Sequence, residues 1–396
     1  MREVVVNERS TLRADTFHKF LSNSPAGGWF PALQGLTWTI TRSNLPYTNL
    51  FFSPHLKKAF IYLSWWWYGP DVPYDLLPTI ASTISTLPTS TIQLLRAGVD
   101  NRRGSWEYLK ESLSSVVLGC GPSLTELNSP IPMSDAAINH LIRLPNFRTW
   151  NTEGPPPSYS ALSLPLLFSP LTELTLGDSA ACGWLPLFKR LEHSTSIARA
   201  VTPLSRMKES LTLLSIENLD GSIIDVALAT TIQIFRNLIT LYVEYYCYAP
   251  GEEGECTFKL NNDSVAELAT ALPQIESLLL GYPCAENTCA TTVACLVPIS
   301  ACCVKLQTLE IHFNTTNIVE DLKNISEDPR YQALRSLPRC TLARLGVYHL
   351  PLALDEPGFE TVAHGMIDIF PSLDHCAGRA GNWGKLSDKI VKVQDL

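Results

Sequence analysis

Apolar residues recur along this chain in one phase. The clearest copy is LTLLSIENL, with Leu211, Leu214, Ile216 and Leu219 at its first, fourth, sixth and ninth places. Such alternation belongs to a short strand with one side buried and the other in water. The same phase returns at Leu171, Leu174 and Leu176; Leu238, Leu241 and Val243; Ile275, Leu278 and Leu280; Leu306, Leu309 and Ile311; and Leu342, Leu345, Val347 and Leu350. Fainter copies stand at Leu33, Leu36 and Trp38 and at Leu56, Ala59 and Ile61, the second running into Trp65, Trp66, Trp67 and Tyr68. Between strands the period changes from two to about 3.6. Leu76, Ile80, Ile84 and Leu87 predict a helix closed by Pro88, ahead of the strand-like TIQLLRAG. Ser134 is placed to cap the helix of AAINHLIRL and Asp263 that of SVAELATAL, while Gly183 and Asp220 precede two further helical runs. Pro145 and Pro273 sit where helices must stop.

A strand of about five residues with a three-turn helix cannot bury its apolar side alone, whereas stacked copies bury a continuous core. Parallel stacking needs a crossover of a dozen or more residues between strands. Each interval supplies one, from 23 residues between Leu124 and Phe147 to 40 between Leu171 and Leu211. The expected fold is therefore α/β: a leucine-rich-repeat solenoid, with a curved parallel sheet on the concave side and helices on the convex side. About ten strands at about 4.8 Å spacing would span about 50 Å. Residues 1–30 read as a polar N-terminal segment, 31–378 as the solenoid and 379–396 as a polar C-terminal tail.

The solvent side of such strands can be read without a structure, because it is formed by the residues flanking the inward ones. Reading it nominates Glu126, Glu153, Glu173, Glu217, Glu244 and Glu310, then Tyr242, His312 and Tyr348, with Arg344 as the one basic member. An acidic stripe carrying tyrosines suits a protein target with a basic segment. PGEEGE, in the insertion Glu244–Phe258, reads as an exposed acidic loop.

Composition narrows the chemistry. The 396 residues are 45% hydrophobic and 17% charged, with a formal net charge of −8, and no basic run offers phosphate neutralisation, so no nucleic-acid partner is expected. No run approaches the eighteen or so apolar residues of a membrane span, and the charged amino terminus does not read as a signal peptide. A soluble chain of the cytoplasm or nucleus is expected, with no membrane partner. The 11 cysteines fit reduced buried thiols better than a disulfide framework. Even the densest group, Cys284, Cys289, Cys295, Cys302 and Cys303, lacks the spacing of a zinc site. GCGPSL is not a phosphate loop, and no Gly-x-Ser-x-Gly elbow is present. No catalytic residue, metal ligand or cofactor is nominated, and an enzyme is not expected.

Three stretches together carry a resemblance: the run from Leu144 to Glu192 beginning LPNFRTWNTEG and ending LPLFKRLE, then ALPQIESLLLG and FPSLDHC. Over nearly the whole chain the sequence resembles the leucine-rich-repeat portion of the F-box proteins of mushroom-forming fungi. The resemblance implies a substrate receptor that holds a target for a cullin-type ubiquitin ligase, with a Skp-type adaptor bound through an F-box. Residues 1–30 do not carry the F-box pattern, so adaptor-binding residues are not carried over and the adaptor is expected only with an F-box upstream. The alternative is a free-standing repeat scaffold with no ubiquitin role.

Overall fold

Every repeat phase read above that falls on described residues forms a strand, and paired strands run parallel in chain order. The computed structural model describes residues 2–6, 30–40, 45–63, 77–99, 106–129, 131–152, 171–177, 208–218, 229–230, 232–245, 259–281, 289–335, 339–347, 352, 354–378 and 382–394. The chain divides into two units, Met1–Ala180 with Arg199–Met207, and Ala181–Ala198 with Lys208–Leu396.

In the first unit lie β1 (Glu3–Val6), β2 (Gly35–Ile40), β3 (Lys58–Leu63), β4 (Leu94–Val99), β5 (Glu126–Ser129), β6 (Thr149–Thr152) and β7 (Glu173–Leu176). Each pairs with the next in parallel. The crossovers include helices α1 (Leu77–Ser85), α2 (Trp106–Gly119) and α3 (Asp135–Leu141), which pack one against the next. Inward residues stack in register: Leu36, Ala59, Leu95, Leu127, Trp150 and Leu174 form one rung, each at most 1% exposed. Before the strands, Leu33, Leu56, Ile92, Leu124, Phe147 and Leu171 close the core where the chain turns in, all nearly fully buried. α2 adds Leu109, Leu113, Val116 and Val117 from one face, the i, i+4, i+7, i+8 stripe of an amphipathic helix. Ser134 caps α3, its hydroxyl accepting from the Ala137 backbone N–H at 3.3 Å.

In the second unit lie β8 (Leu213–Asn218), β9 (Thr240–Tyr245), β10 (Ser277–Leu280), β11 (Thr308–Ile311), β12 (Arg344–Val347) and β13 (His375–Ala377). They are again parallel in chain order. Leu214, Leu241, Leu278, Leu309 and Leu345 are register neighbours, each at most 2% exposed. Burying each such side chain stabilises by about 1.5–3 kcal/mol, which stacking makes available to strands too short to fold alone. Helices α4 (Asn262–Ala271), α5 (Leu296–Cys302), α6 (Ile318–Glu327), α7 (Pro329–Arg335), α8 (Glu356–Ile369) and α9 (Trp383–Gln394) accompany them. Gly281, directly after β10, has φ 103°, a left-handed conformation that glycine adopts without steric cost, and its N–H bonds to the Val243 carbonyl at 2.9 Å.

The structure refines the sequence reading of the fold in three places. Asn261, not Asp263, caps α4: its Oδ1 accepts from the Ser264 N–H at 2.8 Å, leaving Asp263 in the first turn, where its charge suits the helix dipole. The sheet extends ahead of residue 31, because the apolar Val4 and Val6 of β1 pair with Leu36 and Trp38. The expected polar tail contains α9, whose Trp383, Leu386 and Ile390 are fully buried and cover β13. Trp383 occupies the space that a side chain at Gly378 would need. The tryptophan run 65–67 with Tyr68, the runs after Gly183 and Asp220 as far as residue 228, and the PGEEGE loop lie outside the described residues. No described helix is long and apolar enough to cross a membrane.

Candidate functional site

Alternation along parallel strands sorts side chains into rungs across the solvent side of the strands in each unit. In the first unit one rung reads Glu3, Gly35, Lys58, Leu94, Glu126, Thr149 and Glu173. The next reads Val5, Thr37, Phe60, Arg96, Asn128, Asn151 and Thr175. Glu126 lies diagonally from Arg96, and its Oε1 accepts from Arg96 Nη2 at 2.7 Å and from Nε at 2.9 Å. The guanidinium also lies 5.2 Å from the centre of the Phe60 ring, within cation–π range. Glu126 is therefore neutralised where it stands. Glu173 is exposed and accepts from the Thr149 hydroxyl at 3.2 Å.

In the second unit Tyr242 and Glu244 project from β9, and Glu310 from β11. Tyr242 is half-buried, with its hydroxyl 3.3 Å from Ser277 Oγ on the next strand. Glu244 is the register partner of Glu217 on β8, whose side chain lies outside what the structure describes. Glu310 and Gly346 are register partners, and a Cβ at Gly346 would come within 2.8 Å of Glu310 Cγ. The glycine leaves room for the glutamate to lie across the neighbouring strand. Ser215 and Leu279 share this side but are 8% and 7% exposed.

Two readings of the face are corrected. His312 is not a surface residue: it is 0% exposed, between the equally buried Ile311 and Phe313. β11 ends at Ile311, so the alternation that would turn the next residue outward has stopped, and Asn314 already bridges to Thr292. Burial pushes the imidazole pKa from its ordinary 6.5 down to about 4. Arg344 is exposed as expected, but it is not the one basic member, because Lys58 on β3 and Arg96 on β4 occupy solvent-side strand positions in the first unit. The copies at Leu56 and in TIQLLRAG were recognisable as strands, and counting outward from Ala59 and Leu95 finds both cations. Glu153 and Tyr348 lie outside the described residues.

Groups that could do chemistry are otherwise tied into the fold. Cys289, Cys295 and Cys303 are buried and Cys302 half-buried, while Cys284 lies outside the described residues. Desolvation raises the thiol pKa values of Cys295 and Cys303, and those of Cys120 and Cys376 to about 12, which suppresses the reactive thiolate. No three His, Cys, Asp or Glu residues are grouped for metal binding among the described residues. Ser387 Oγ lies 3.3 Å from His375 Nδ1, but it also accepts from the Cys376 N–H at 3.3 Å and is buried, so it fastens α9 to β13. On the helix side of the second unit, a crevice of about 140 Å³ is lined by Leu322, Ile325, Tyr331, Gly365, Asp368 and Ile369. No protein-family model matches the chain, and no curated protein matches it.

Proposed function

We propose that this chain is a protein-binding module that seats a partner on the solvent side of its parallel strands. The observation that carries this reading is the register itself. Backbone pairing holds Thr240, Tyr242 and Glu244 on β9 beside Ser277 on β10, with Glu310 one strand further on, so a mixed polar and aromatic surface is presented on a rigid base. Fixed side chains lose less entropy on association than mobile ones, and a tyrosine among polar groups is the chemistry of a protein interface. Glu244, Glu310 and, in the first unit, Glu173 give the surface an acidic bias that suits a basic segment of the partner. The resemblance to the repeat portion of fungal F-box proteins extends the proposal to substrate recognition for a cullin-type ubiquitin ligase.

The test is affinity capture with the unmodified chain, with Glu244→Lys combined with Glu310→Lys, and with Glu267→Lys on the exposed side of α4. The proposal expects a protein partner lost with the strand-face variant and kept with the helix variant. The opposite pattern would overturn it. Co-capture of a Skp-type adaptor and a cullin supports the ligase role, and a partner captured without them supports a free-standing scaffold.

A further inference from the structure

Gly346 stands inside β12 with the register intact around it. Thr308, Leu309, Glu310 and Ile311 on β11 pair one for one with Arg344, Leu345, Gly346 and Val347, so no bulge calls for a glycine. Nor does the backbone, since among the described residues Gly281 is the glycine with a left-handed φ. A glycine inside a strand is less stable than an alanine, and where neither bend nor bulge accounts for it, it marks a place that something approaches closely. Here that group is Glu310. A Cβ at Gly346 would lie 2.8 Å from Glu310 Cγ, 3.4 Å from Cδ and 3.5 Å from Cβ, so the stem and the carboxyl carbon rest against the bare backbone of β12. Glu310 stays half-exposed there, and Ala377, the register partner of Gly346 on β13, is exposed and adds only a methyl group. The other charged or imidazole side chains described on the strands of this unit are Glu244, Arg344 and His375, and Arg344, the one cation, makes no ion pair with Glu310 among the described residues.

Accepting that the strand side is the binding side and that the partner offers it a basic segment, we infer that Gly346 is a positioning residue: it fixes where the Glu310 carboxylate stands, and so where a lysine of the segment is received. With the glycine, the carboxylate lies low against β12, beside the shallow floor of Gly346 and Ala377, and the lysine reaches it from above. With an alanine, the new methyl group collides with Cγ, and Glu310 turns to another rotamer that carries its carboxylate off β12. A side chain that rests against a neighbouring strand also loses less freedom on binding than one in open solvent.

Fluorescence anisotropy on the full chain tests this with a labelled peptide of about twelve residues alternating Lys and Ser, against its Glu–Ser counterpart, at ~50 mM NaCl. The basic peptide is expected to bind more tightly, Glu310→Gln to weaken it by about fivefold and Gly346→Ala by a similar factor. Added to Glu310→Gln, Gly346→Ala should cost nothing further, because the carboxylate it displaces is already gone. The urea midpoint of Gly346→Ala should not fall, alanine being the better strand residue. If Gly346→Ala binds like the unmodified chain, lowers the midpoint, or weakens the peptide as much in the Glu310→Gln background, the inference is overturned while the acidic strand face stands. If the basic peptide binds no more tightly than the acidic one, or Glu310→Gln has no effect, the basic-segment reading falls and takes this inference with it.

Discussion

Leu241→Ala tests the register on which every placement of the face depends. Leu241 is 0% exposed, with Leu214 and Leu278 as its register neighbours on β8 and β10. The change removes three carbons, worth about 0.8 kcal/mol each in transfer from water, or about 2.4 kcal/mol. Its neighbours are fixed by parallel hydrogen bonding and close the gap only in part, so a cavity term raises the loss to about 3–4 kcal/mol. Glu244→Ala, three residues along the same strand but on the other side, should change stability by no more than about 0.5 kcal/mol. Urea unfolding followed by circular dichroism reads both. The midpoint should fall by about 1 M for Leu241→Ala and stay in place for Glu244→Ala. Comparable shifts in the two variants, or a larger one for Glu244→Ala, would mean the strand is turned the other way and the reasoning fails.

Other expectations follow from individual groups. The folded-state pKa of His312, about 4, lies below the ordinary 6.5, so the unfolded chain binds its proton first. Stability should therefore fall as pH drops from about 6.5 toward 4, by up to about 3 kcal/mol from this residue. His312→Gln should flatten the pH dependence of the urea midpoint relative to the unmodified chain, and an unchanged slope would count against the buried neutral imidazole. Trp383→Ala should cost about 3–5 kcal/mol and shift thermal melting of the second unit, because Trp383 is fully buried where α9 covers β13. Among the described cysteines, iodoacetamide labelling of the native chain followed by mass spectrometry should modify Cys302 well before Cys120, Cys295, Cys303 and Cys376, which are buried. Equal labelling would show that the core opens on the labelling timescale. Ser134→Ala should cost about 1 kcal/mol through loss of the α3 cap.

Much of the fold was legible because the repeat imposes two simple periods. Leu214 and Ile216, or Leu309 and Ile311, announce both a strand and its inward side, and neighbouring copies agree. Where agreement between copies was lacking, sequence reading stopped short. β1 is four residues long, EVVV, and among the described residues its one strand neighbour is β2, so nothing in its own pattern marks it as part of an array. α2 carries a clean stripe from Leu109 to Val117, legible once a helix is sought there. Asn261 and Asp263 are both good caps, and the choice between them depends on where the chain leaves the turn, which is tertiary information. His312 failed for a physical reason: alternation holds only while the strand lasts, and the sequence does not show that β11 ends at Ile311. Glu126 shows the limit for function. Its outward position was legible, but Arg96 thirty residues earlier neutralises it, and only the register of β4 on β5 brings the two together.

The most direct test of the binding face is site-specific photo-crosslinking from the strand side and the helix side of the same unit. Benzoyl-phenylalanine replaces Tyr242 on β9 in one form of the chain and Glu267 on α4 in another, each is exposed to lysate and irradiated, and adducts are resolved by mass. A discrete adduct from position 242, absent from position 267, is the predicted result. An adduct from position 267 with none from 242 would place the partner on the helices and contradict the account.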